Sequence, residues 1–209
     1  MRKLILATLV LSLLSACGKD EETAAPDPAA LAEQRAYEKE IGDWRADRLA
    51  RLQKADGWLS LVGMHWIEPG TTRVGSNPKF KARLAVGPAD VGMLTVGKDG
   101  VITLRPEKDA GITINGEPAS GPVTLLSDAD AGDAGPTVVG FNKGDASIVV
   151  IKRGGNYALR VRDALAPTRT GFTGIDYFPI DPAFRVTAKF TPHPAGQTID
   201  VVNILSQVE

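Results

Sequence analysis

The chain has 209 residues, with 24 Lys and Arg against 25 Asp and Glu for a net charge of -1, together with 22 Gly, 14 Pro and only 6% aromatic residues. One sizeable domain fits that length once a leader is subtracted, and the charge balance leaves no surplus to neutralise a nucleic-acid backbone or to form a polybasic membrane patch, so nucleic acid is excluded as a partner. The Gly and Pro content favours short strands joined by many turns over a helical bundle.

The amino terminus carries the sharpest signal. "MRKLILATLVLSLLSA", residues 1–16, has two positive charges, an apolar run and small residues before a cut site, the layout of a secretory leader. The run is too short to span a bilayer, which takes about 20 residues. Immediately after it stands the protein's one cysteine, Cys17. "LSAC", Leu14 to Cys17, resembles the lipobox of bacterial lipoproteins, which implies cleavage before Cys17 and a diacylglyceryl group on its thiol. The alternative is a chance cysteine inside an ordinary leader. Lipidation implies a membrane partner through the N-terminal lipid and a periplasm-facing place in the cell envelope. Gly18, rather than Asp, after the cysteine favours the outer over the inner membrane. With its thiol modified, the mature chain has no internal disulfide and depends on packing for stability.

Residues 17–30, containing "GKDEETAAPDPAA", are acidic, small and proline-bearing, and read as a disordered tether. From Leu31 to Lys54, residues Tyr37, Ile41, Trp44, Leu49 and Leu52 fall near three-and-four spacing, predicting one amphipathic helix packed on a sheet and ended by Asp56 and Gly57. In "DGWLSLVGMHWIEPG", Asp56 to Gly70, the number of apolar residues predicts the start of the core, with Trp58 and Trp66 dominating burial in so aromatic-poor a chain.

Beyond Pro69 short apolar runs recur between turns: "TTRVGS", "ARLAV", "GMLTVG", "GVITLRP", "GITING", "GPVTLL", "PTVVGF", "SIVVIKR", "YALRVRD", "RVTAKFTPH" and "TIDVVNILS". This spacing predicts a mainly β fold, a sandwich or barrel of antiparallel sheets preceded by the helix, forming a single domain over residues 31–209. "KDG" at 98–100, "NG" at 115–116 and "RGGN" at 153–156 are expected reversals. "DADAGDAGP", Asp128 to Pro136, is expected to be a flexible surface loop, because it lacks the EF-hand register that would make its carboxylates a calcium site.

Two stretches, "WRADRLARLQKADGWLSLVGMHWIEPGTTRVGSNP" (44–78) and "YALRVRDALAPTRTGFTGIDYFPIDPAFRVTAKF" (157–190), resemble the bacterial family catalogued as domain of unknown function 1684. The resemblance covers most of the mature chain and implies a fold and a bacterial setting, but no activity. Family members continue past this chain's last residue into a further β-rich, Cys- and Pro-rich segment, so the expectation is a truncated product, a fragment or a shortened relative. A fainter likeness links "TTRVGSNP" and "TINGEPASGPVTLL" to forkhead-associated sandwiches, whose phosphothreonine site opens on an arginine turn. Gly75 and Ser76 stand where that arginine is expected, which removes the main electrostatic donor for a phosphopeptide.

No nucleophile elbow, zincin helix, phosphate loop or dinucleotide fingerprint occurs. His65 and His193 are the only histidines, and no metal site or cofactor is expected from them. The remaining chemistry is cationic. In "YALRVRD" Arg160 and Arg162 share a strand face opposite Leu159 and Val161, with Arg169 a short loop away. Two guanidiniums on one face can grip a carboxylate or phosphate; the alternative is that they pair with Asp163, Asp176 or other acids as structural bridges. Two functions follow. One is a lipid-anchored binding or scaffold domain for an envelope protein or small anionic ligand. The other is a hydrolase or transferase on an anionic substrate, with Arg160 and Arg162 as clamps, His65 as acid or base and Trp58 as a ligand contact.

Overall fold

The computed structural model describes residues 27–198 and 201–202. Residues 1–26, including the leader and Cys17, lie outside the described part, as does most of the "TIDVVNILS" run.

Helix α1 (Pro28–Leu52) starts three residues before its expected beginning, inside the expected tether. The reason is local: the Asp27 carboxylate accepts the Ala29 N–H at 2.9 Å, and Pro28 sits where a helix has no use for an N–H. None of its residues is buried. Leu31, Tyr37, Ile41, Arg45, Leu49 and Leu52 form a partly covered stripe, but what covers it is not a sheet, as expected, but the 3-10 turn Trp58–Ser60 and residues 177–185. Trp44 falls beside that stripe and stays 47% exposed.

The body is two β-sheets, mainly antiparallel, as the turn-punctuated pattern predicts. With strands numbered in chain order, one has six: β1 (Leu61–Ile67), β11 (Asn156–Asp163), β10 (Ala146–Arg153), β9 (Val139–Phe141), β6 (Thr113–Ile114) and β7 (Glu117–Pro118), side by side in that order. The other has five, ordered β3 (Ala82–Arg83), β2 (Gly70–Gly75), β4 (Gly92–Val96), β5 (Ile102–Pro106) and β8 (Val123–Thr124). Among the described residues only β2 and β3 pair in parallel. The three expected reversals all occur: 97–101 joins β4 to β5, Asn115–Gly116 joins β6 to β7, and Gly154–Gly155, both at positive φ, join β10 to β11.

Alternate residues of both sheets meet in one core, including Val74, Leu94, Leu104, Phe141, Val150 and Leu159. Aliphatic side chains and a single phenylalanine make it, not the tryptophans: Trp58 is 72% exposed and Trp66 40%. The expectation failed because β1 is an edge strand, so Met64 and Trp66 point to the outer side while Trp58 sits on the preceding turn. Of that whole stretch only Ser60 and Ile67 are buried. The body needs Gly92, at φ 146°, because a Cβ there would overlap the Arg105 carbonyl oxygen across the β4–β5 ladder. A second difference concerns "RVTAKFTPH", which alternates as a strand should yet joins no strand ladder among the described residues and is exposed throughout.

Candidate functional site

The hairpin β10–β11 sets out the cationic face. Its register pairs Ser147 with Arg162, Val149 with Arg160 and Ile151 with Ala158, and on the other side β1 sets Met64 against Arg160 and Trp66 against Ala158. Paired residues share a face, so rows run across the sheet: Trp66, Ala158 and Ile151 in one, Met64, Arg160 and Val149 in the next. Val149, Ile151 and Ala158 form a small buried apolar cluster on this outer side, separate from the main core. Met64 and Trp66 border it and remain 45% and 40% exposed.

Arg160 and Arg162, both partly buried, follow two positions apart on this face. Neither forms an ion pair among the described residues, and the Nε of Arg162 is buried without a hydrogen-bond partner. The expected bridges to Asp163 and Asp176 are absent there; the Asp163 carboxylate instead accepts the Leu165 N–H at 2.8 Å. Burial first, then the charges of Arg153 and Arg162, pull the Arg160 guanidinium below its ordinary pKa, with Asp128 opposing them. Arginine starts so high that it stays cationic at neutral pH.

The third guanidinium, Arg153, is already engaged. Its Nη2 donates to Asp128 Oδ2 at 2.8 Å and its Nη1 to Oδ1 at 3.2 Å, while the same Oδ1 accepts the Lys152 N–H at 3.0 Å. Burial would raise the Asp128 carboxyl, but these hydrogen bonds and the charges of Arg153 and Arg160 outweigh it and hold it below the usual carboxylate range. Asp130 accepts from the buried Ser127 hydroxyl at 2.6 Å. The acidic loop is therefore pinned to β10 at its start rather than free along its length.

Arg169 belongs to a different place. On the short helix α2 (Pro167–Thr170), it donates to the carbonyls of Gln53 at 2.9 Å, Lys54 at 3.2 Å and Ala164 at 2.6 Å. It ties the end of α1 to the exit of β11, and its donors face carbonyls rather than a ligand. His65 pairs with Leu159, on the inner side of the β1–β11 ladder, and its partly buried ring has an Nε2 without a partner. Burial lowers its pKa. The structure thus brings Arg160, Arg162, Met64 and Trp66 together and leaves His65, Trp58 and Arg169 elsewhere.

One concavity escaped the sequence reading. A cleft of about 980 Å³ opens on the outer face of the five-stranded sheet, floored by Met93, Thr95 and Thr103, flanked by Arg73 and Arg105, and walled by loops 107–111 and 118–122. Arg73 is bound to Asp90 and reaches Glu107 at 3.4 Å. An outward polar residue at every second position is what any half-exposed sheet shows, so nothing in the sequence marked these residues as a floor.

No protein-family profile matches the chain, and no curated protein matches it. Among solved structures it is similar to the FHA1 domain of yeast Rad53, a refined NMR structure, at 12% identity and a TM-score of 0.25, over 63% of this chain and 75% of that one. At that score the similarity carries no argument about ligands. Gly75 and Ser76 serve the backbone. A Cβ on Gly75 would overlap the Ala89 carbonyl, and the Ser76 hydroxyl donates to the Gly87 carbonyl at 2.9 Å.

Proposed function

We propose that the chain is a lipid-anchored protein of the bacterial cell envelope, held through Cys17 and facing the periplasm, preferentially from the outer membrane, and that its β-sandwich is a binding or scaffold domain. The leader, the lipobox and the cysteine at its end support the anchor. The two motif stretches at 44–78 and 157–190 support placing it with the proteins of domain family 1684.

The observation that carries the binding reading is the pair Arg160 and Arg162, partly buried on an outer face, in no ion pair among the described residues although the Asp128 charge is felt at Arg160, and bordered by Met64 and Trp66. Unpaired guanidiniums next to apolar side chains suit a ligand that offers a phosphate or carboxylate beside a hydrocarbon or a peptide flank. A hydrolase or transferase would need its acid–base group near those clamps. His65 is on the other side of the ladder, so binding is the better supported reading.

Two experiments test it. Expression in a bacterium with labelled palmitate labels the wild-type chain and leaves Cys17→Ser unlabelled and released from the membrane fraction; equal labelling of the two refutes the anchor. Titration with dodecyl phosphate, followed by tryptophan fluorescence, shows saturable binding that Arg160→Glu/Arg162→Glu weakens by about tenfold or more, as loss of a charge-assisted contact requires. Equal affinity for the variant removes this face as the site.

A further inference from the structure

After α2 the described residues form no extended strand, and residues 177–185 run back along α1. The Phe178 carbonyl accepts from Arg45 Nη2 at 2.7 Å, the Tyr177 ring meets Trp44 edge-on at 6.3 Å, and Arg185 lies 3.7 Å from Glu33 and stacks 5.2 Å over Tyr37. These contacts place Arg185 beside the first half of the helix, the end that leads to Cys17, and the exposed strip continues from it to Phe190. Phe184, Val186 and Phe190 there are 82%, 80% and 85% exposed. They alternate with Arg185, Thr187 and Lys189, and no acidic residue occurs from Pro182 to Gln197.

Isolated exposed apolar residues are ordinary, but three of this size in seven positions form a patch that needs a cover. We propose that residues 184–190 are a membrane-contact strip, lying in the headgroup region of an anionic bilayer with Phe184, Val186 and Phe190 inserted and Lys189 at the phosphates, while Arg185 holds the strip to Glu33 and Tyr37 of α1. This rests on the anchor reading. Nine residues, 18–26, separate Cys17 from the cap of α1 and reach at most about 30–35 Å, so a lipid on Cys17 keeps this end of the helix close to the membrane surface. Apolar side chains interleaved with cations match the boundary between acyl chains and anionic headgroups. The strip would lay the arm on the membrane and fix the direction in which the sandwich faces away from it.

The test uses the full processed protein carrying Val186→Cys, labelled at that thiol with an environment-sensitive fluorophore and reconstituted into vesicles of phosphatidylethanolamine and phosphatidylglycerol. The expected result is a blue-shifted emission and a fall of about twofold or more in quenching by aqueous iodide, while the same label on Lys98→Cys, in the β4–β5 turn, stays fully quenched. Lys189→Glu in that background raises quenching toward its vesicle-free level. Quenching at position 186 that vesicles do not change overturns the proposal, as does equal protection at position 98. Protection that rises with protein concentration without vesicles also overturns it, because a second copy is then the cover. The mass of the N-terminal peptide reports separately whether Cys17 is acylated. If it is not, the anchor reading fails, and the same label on Val186→Cys in a Cys17→Ser background, which leaves position 186 as the one thiol, still decides the strip by its response to added vesicles.

Discussion

The sandwich and the arm beside it, α1 with residues 177–190, are built from equally regular patterns and end in opposite states. In β4, β5, β10 and β11 the alternate residues Leu94, Leu104, Val150 and Leu159 are at most 2% exposed, whereas the alternating Phe184, Val186 and Phe190 are at least 80% exposed and α1 buries nothing. Periodicity says which side of an element is apolar. Burial depends on whether another element's apolar side is within reach, and that is settled by chain reversals and register, not by the segment's own residues.

The strongest way to break this contrast is to remove one ring from each region. Phe141 is 1% exposed, and its ring lies against Gly87, where an added Cβ would strike it. Phe141→Ala is expected to cost about 3–5 kcal/mol by urea unfolding, since a cavity is added to the lost transfer energy. Trp44→Ala, in the arm, is expected to cost less than about 1 kcal/mol. Comparable losses from the two would mean the arm is integral to the core.

Arg169 joins the two regions, and removing it sharpens the comparison. Arg169→Met deletes donors to three carbonyls from two segments, with an expected loss of about 1–3 kcal/mol, because a charged donor satisfies them and nothing replaces it. Hydrogen exchange should quicken at Gln53–Ser60 and in α2 while the β10–β11 amides keep their protection. Uniform loss of protection would show that arm and sandwich unfold as one unit.

The same contrast explains what could be read in advance. The β10–β11 hairpin was legible because "RGGN" supplies two residues able to hold positive φ between β-branched runs, and from it the shared face of Arg160 and Arg162 follows by parity. His65 was not placeable, because its side of β1 depends on a register with β11 that includes a bulge between Leu61 and Gly63. Arg169 looked like a ligand group because two of its three carbonyl partners lie more than 100 positions away in sequence, which no local pattern reveals. The early start of α1 was hidden by composition: Asp27, Pro28 and the alanines read as a tether and also make a capped first turn.

Within the sandwich, Asp128 tests how firmly the acidic loop is pinned. Its carboxyl pKa is depressed in the folded chain, so its contribution is present above the unfolded value near 3.9 and is lost as pH falls through the folded value. Asp128→Asn is expected to cost about 1–2 kcal/mol at pH 7, discounted for the partial exposure of the pair, and to flatten the acid limb of stability below about pH 4. An unchanged acid limb would show that Arg153 holds the loop without the charge.

The smallest effect concerns His65, on the inner side of an edge strand where burial lowers its pKa. A histidine whose folded pKa lies below its unfolded value binds its proton more readily unfolded. Its penalty is therefore absent above the unfolded value, about 6.5, and grows as pH falls from there toward the folded value. Charging the ring would also place a donor at Nε2, which has no acceptor beside it. His65→Leu should leave stability at pH 8 within about 0.5 kcal/mol and remove the decline between about pH 6.5 and pH 5. The position then acts as an apolar site that tolerates a neutral imidazole. A decline that survives the substitution belongs to another group, and a loss of dodecyl phosphate binding on the substitution would place the imidazole in communication with the arginines across the ladder.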